Sequence, residues 1–287
     1  MRIPTATIAL ILLVPIARAD EPKLLTADNI VYTKRGDREL RLDIVRPDGP
    51  GPFPAVVCIH GGGWSGGRRR DMRFMQEALA RRGYVTISPE YRFAPKDLWP
   101  AQVHDVKAAV RWLRANASEY HVDPTKLGAT GISAGGHLSM MLGVLGPDDG
   151  LEGDAAEGAP SSKVQAVVNI VGPVDLAAAD IPDSVKPIVT TLLGGPAASK
   201  AEVAASASPA TFITKDDAPM LSFYGSKDPL VPPSQGTTLG SKMSAAGVPG
   251  RVELLVGAGH GPNPDDLGRL IEATVQFFDK HLKGPKK

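Results

Sequence analysis

Gly131-Ile132-Ser133-Ala134-Gly135-Gly136 sets one serine among small residues in the order G-x-S-x-G. A short apolar run, 126–131, precedes it, and a helical pattern over 134–145 follows. A strand that turns directly into a helix crowds the residues beside the turn, so they must lack bulk, and the serine hydroxyl is lifted above the sheet edge. The helix N-terminus beneath it favours negative charge developing there. Such a hydroxyl becomes a nucleophile only when a base takes its proton and a third group orients that base. Alone, the five-residue pattern also fits an ordinary glycine-rich turn.

Of six histidines, His260 is the candidate base. It lies in "VGAGHGPN", a glycine-rich loop after the last strand-like run, with no apolar periodicity to explain it. His137 is one turn beyond Ser133 on the same helix and points down into the structure. His104, His121 and His281 read as structural. The orienting carboxylate is expected from Asp228, in "FYGSKDPLVP" directly after the run 220–225. It precedes His260 by 32 residues, room for one helix and one strand, which puts both at the carboxyl ends of neighbouring strands. Asp175 is the second candidate, whereas Asp216 and Asp217 precede their strand and fall at the wrong edge.

A nucleophile of this kind needs donors for the oxyanion that its attack creates, each contributing about 3–4 kcal/mol. "CIHGGGWSGG", 58–67, leaves a strand and runs straight into three glycines. Gly61 and Gly62 could offer two N–H groups where β-carbons would obstruct the substrate, and Ala134 a third. A phosphate loop is the rival reading, but no Lys-Ser/Thr follows the glycines. Trp64 either lines the acyl pocket or packs beneath the loop.

These residues require a scaffold that delivers loops to one edge. "LRLDIV" (40–45) alternates with period two, as a half-exposed strand does, and "AVVCI" (55–59) is apolar throughout, as a strand covered on both faces is. Further strands are predicted at 84–89, 126–131, 164–171, 220–225 and 251–256. Helices are predicted at 71–82, with Gly83 as its stop, and at 101–120, 134–145, 234–246 and 264–282. This alternation specifies a mostly parallel sheet with helices on both faces. Residues 147–162 read as an exposed loop, and 176–216 as a small helical flap. No linker divides the chain.

The chain has 287 residues, 43% hydrophobic and 22% charged, enough for one large core. A net charge of +1 gives no reason to expect nucleic acid as a partner. Arg2, the apolar stretch 8–17 and Ala17-Arg18-Ala19 fit a secretory signal peptide cleaved before Asp20, leaving 20–287 as one domain. Ten apolar residues are too few to anchor the chain across a membrane. Loss of Arg2 and Arg18 takes the charge from +1 to −1. The single cysteine, Cys58, sits in a strand as a buried small hydrophobe. No cluster has metal-ligand spacing, so neither metal nor cofactor is expected.

"HGGGW", "GISAGGH", "GSKDPLVP" and "GAGH", in this order, resemble the α/β-hydrolase superfamily, specifically hormone-sensitive-lipase-like esterases and the secreted acetyl or feruloyl xylan esterases. "YRFAP" (91–95), 99–114 and 122–131 support the resemblance, which covers roughly residues 30–283. It implies Ser133 as nucleophile, His260 as base, Asp228 as its orienter and Gly61, Gly62 and Ala134 as oxyanion donors, with His60 holding the loop. It implies hydrolysis of short-chain acyl esters, from small molecules or polysaccharide. "HGGGW" also fits aryl formamidases, some peptidases share the catalytic domain, and the fold includes inactive binding proteins, which typically lose a triad residue.

Overall fold

The computed structural model describes residues 22–284; the signal-peptide expectation at 1–19 lies outside them. Eight strands form one sheet: β1 (Leu24–Arg35), β2 (Arg38–Pro47), β3 (Phe53–Ile59), β4 (Val85–Pro89), β5 (Val122–Ile132), β6 (Ala166–Ile170), β7 (Met220–Gly225) and β8 (Gly250–Leu255). Their spatial order is β1-β2-β4-β3-β5-β6-β7-β8. β1 and β2 run antiparallel to their neighbours, and β3 to β8 are parallel. Seven helices accompany them: α1 (Arg73–Ala80), α2 (Ala101–Ala115), α3 (Ala134–Val144), α4 (Lys186–Leu193), α5 (Ala201–Ser206), α6 (Pro233–Ala246) and α7 (Pro264–Phe278).

The alternation of β3 shows why its run is apolar throughout. Ala55, Val57 and Ile59 pack with the buried residues of α2, α3 and α6, while Val56 and Cys58 pack with those of α1 and α7. A sheet covered on both faces needs hydrophobic side chains at every position. β2 differs from its expectation. It is buried on both faces, because Gln76 of α1 donates to the Asp43 carbonyl and Arg69 pairs with the Asp43 carboxylate at 3.1 Å.

β1 was not anticipated. Register shifts between Ala27 and Ile30 and between Val31 and Thr33 break its period of two, so no alternation reaches the sequence. β5 starts at Val122, four residues before the apolar run, because Val122 pairs with Phe53. α2 ends at Ala115, short of 120, in a turn closed by Asn116, whose side chain donates to the Trp112 carbonyl.

The flap over 176–216 contains α4, α5 and short 3-10 turns. Its buried Leu192 and Leu193 join the core, and Trp99 ties it down by bonds to the Leu192 carbonyl and, at 3.0 Å, the Ser206 hydroxyl. The stretch 147–162 is mostly exposed, but Glu152 anchors it by accepting from Lys107 and Arg111. No described helix is long and apolar enough to cross a membrane.

Candidate active site

Ser133 follows the last residue of β5 and caps α3, with φ +56° and ψ −122°. This is a strained region for a residue with a β-carbon, costing about 1–3 kcal/mol. Neighbouring backbone pins it: its N–H donates to the Ile170 carbonyl at 2.8 Å. The flanking glycines are forced. A Cβ on Gly131 would run into Gly135, one on Gly135 into the Ile59 carbonyl, and one on Gly136 into the Asn169 side chain. The crowding at Gly131 and Gly135 is thus backbone against backbone, within the turn and against the end of β3, and at Gly136 it comes from a side chain of β6.

His260, in the loop after β8, places Nε2 2.8 Å from the Ser133 hydroxyl. Its Nδ1 lies 2.8 Å from Oδ2 of Asp228, in the loop after β7. The Asp228 carboxylate is fully buried, and Oδ1 accepts from the N–H groups of Leu230 and Val231 at 2.8 and 2.9 Å. Burial alone would raise its pKa. The bonds from His260, Val231 and Leu230 outweigh that and hold the carboxyl below its usual range. The structure therefore brings together the three residues singled out from the sequence.

It does not bring the alternatives there. Asp175 turns its carboxylate to the N–H of Ala177 and Asp217 to that of Thr214. His121 faces the Pro50 carbonyl, and His281 packs on Phe277. His137 is wholly buried between Trp64, whose Nε1–H donates to Nδ1 at 3.1 Å, and the Ala207 carbonyl, 2.7 Å from Nε2. Burial pushes its pKa down to about 4, the bond to Ala207 resisting only in part, so the ring is neutral. Trp64 is a core residue, 3% exposed, packed under the loop against His137.

The glycine loop is held by residues whose role was not legible from spacing. His60 donates from Nδ1 to the Gly61 carbonyl at 2.8 Å, and the Tyr91 hydroxyl reaches the His60 and Gly61 carbonyls at 3.0 and 3.3 Å. In a trans peptide the C=O and N–H point in opposite directions. Fixing these two carbonyls toward Tyr91 therefore aims the N–H groups of Gly61 and Gly62 the other way. Among the described residues neither N–H meets a backbone acceptor outside the helices and strands. The N–H of Ala134, first residue of α3, has no partner within its helix.

The reason for glycine here needs correcting. A Cβ on Gly61 would lie 2.8 Å from the Ile132 carbonyl, and one on Gly62, at φ +113°, would strike the Gly66 carbonyl. The loop's own closure demands glycine before any substrate arrives. Cys58 is buried, which pushes its thiol pKa up and leaves it unreactive. Among the described residues no group of His, Cys, Asp and Glu is placed to hold a metal.

The BD-FAE family profile matches residues 42–243. Esterase LipC of Mycobacterium tuberculosis is 32% identical over 73% of this chain and 53% of its own length. The chain spans about half the length of the curated relatives it matches. Among solved structures, a truncated carbohydrate esterase from gut microbiota superposes with a TM-score of 0.81 at 28% identity, covering 92% of this chain and 98% of its own. Esterase 2 of Thermogutta terrifontis, phosphonylated by sarin, gives 0.78 at 29% over 91% and 97% of the two chains. Its butyrate-bound form gives 0.75 at 27% over 93% and 97%.

Proposed function

Because the chain belongs to the BD-FAE family and has the α/β-hydrolase fold, we propose that it is a serine carboxylesterase working through Ser133, His260 and Asp228. The observation that carries this reading is the unbroken line of hydrogen bonds, at 2.8 Å each, from hydroxyl to imidazole to buried carboxylate.

His260 Nε2 takes the proton of Ser133 as Oγ attacks the ester carbonyl, and Asp228 keeps the ring in the tautomer that can accept it. The oxyanion meets the N–H groups of Gly61, Gly62 and Ala134. Collapse expels the alcohol, protonated by His260, and leaves an acyl-serine. Water then gives its proton to His260, attacks the acyl carbon and releases the acid, restoring Ser133. The structure that binds butyrate supports short acyl groups, acetyl among them, and the gut carbohydrate esterase supports carbohydrate esters as substrates, here taken to be those of a polysaccharide. The sequence at 1–19 supports export, with residues 20–287 as one hydrolase domain.

A fluorophosphonate probe is expected to label the folded protein once, and Ser133→Ala to abolish both label and turnover, with kcat down by roughly 10⁴–10⁶. An unchanged adduct in that variant would overturn the reading. Assayed beside p-nitrophenyl esters of increasing chain length, acetylated xylan and methyl ferulate, N-formylkynurenine should be the poorer substrate. Its fastest turnover would make the chain a formamidase.

A further inference from the structure

A separate cavity of about 380 Å³ opens on the β4 side of the glycine loop, whereas Ser133 lies on the β5 side. Arg38, Arg68, Arg69 and Arg70 line it against a single carboxylate, Glu90. Arg69 is committed to Asp43 and Glu90. Arg38 has only a long contact with Asp97, 3.7 Å, and among the described residues the Arg68 and Arg70 side chains pair with no carboxylate. A neighbouring cavity shares Arg38, but there Lys34, Arg35 and Arg92 are paired with carboxylates and Asp97 and Asp154 join the lining. In a chain of net charge +1, the arginines of the first cavity are a local accumulation.

His60 forms part of the same wall and is 1% exposed. Its Nδ1–H donates to the Gly61 carbonyl, and burial holds its pKa below the ordinary value, so Nε2 carries a lone pair. That nitrogen has no hydrogen-bond partner among the described residues. It is one of eight buried side-chain polar atoms that lack such a partner among the described residues, and the one that belongs to this wall's imidazole. The ring is held by stacking on Tyr91 at 4.4 Å, with Phe93 edge-on at 5.9 Å. The cavity thus offers guanidinium donors at its mouth and one acceptor, awaiting a donor, in its wall.

We propose that this cavity is a subsite for a uronic acid residue, whose carboxylate meets Arg68 and Arg70 and whose ring hydroxyl donates to His60 Nε2. A bare anion satisfies only the guanidinium groups, and a neutral sugar only the histidine. β3 stands between β4 and β5, so the glycine loop that follows β3 lies between the cavity and Ser133. A uronate seated there belongs to the same polysaccharide chain as the ester being cut. Only this last link rests on the esterase reading.

The test is calorimetric titration of the full chain with D-glucuronate, D-glucose and sodium sulfate, no ester being present. Glucuronate should bind, more weakly as salt is raised, and at least about tenfold more weakly in the Arg68→Gln/Arg70→Gln double variant, whose Tm should match the parent. Glucose should bind much more weakly. Absence of glucuronate binding, equal binding of sulfate, or an unaffected double variant would each overturn the proposal. A protein that fails to react with fluorophosphonate but binds glucuronate would refute the esterase reading alone.

Discussion

One phenol governs the direction of two peptide groups. Tyr91 holds the carbonyls of His60 and Gly61, and through them aims the N–H groups proposed to meet the oxyanion. It touches no reacting atom, so it is a positioning residue. Tyr91→Phe keeps the buried ring but frees both carbonyls to rotate. We expect kcat for p-nitrophenyl acetate to fall by about tenfold to a hundredfold with KM little changed. A variant that loses Tm in proportion, or raises KM alone, would show Tyr91 to be structural. Ser133, His260 and Asp228 were readable at this scale, because each sits after a strand in a loop with no packing pattern to explain it. Tyr91 was not, since its task depends on β4 and β3 ending side by side.

At the scale of elements, the flap is clamped to α3 through one neutral imidazole. His137 of α3 accepts from Trp64 under the glycine loop and donates to Ala207 at the end of α5. With a folded pKa of about 4 against roughly 6.5 in the unfolded chain, the unfolded state binds the extra proton between those values. The contribution is complete above pH ~6.5 and is lost as pH falls toward 4, by about 3 kcal/mol in all. Urea unfolding at pH 7 and pH 4.5 should show this loss. His137→Phe should be less stable at pH 7, by ~1–3 kcal/mol, yet lose less on acidification. An equal acid loss in both proteins would remove His137 from the account. Elements with strong periodicity were legible, α1 and its Gly83 stop among them, while bulged β1 and the early start of β5 depend on partners that no local window contains.

For the molecule as a whole, β2 to β8 read from the sequence as strands of one sheet, the inner ones because the core runs on both sides of them. The spatial order of the strands did not, since it follows from crossovers and not from composition. That order also sets a timetable. The serine arrives with β5, but the carboxylate follows β7 and the imidazole follows β8, 127 residues after the serine. At ~5–20 residues per second of synthesis, the proposed nucleophile exists for on the order of 10 s before its proposed base has been made. Ribosome-stalled chains that expose residues up to 249 should therefore resist the fluorophosphonate, and chains that also expose the last helix should accept it. Labelling of the shorter chain would mean that Ser133 is activated by something other than His260. On the proposed reading the nascent chain is its own zymogen, silenced by an unfinished edge of the sheet.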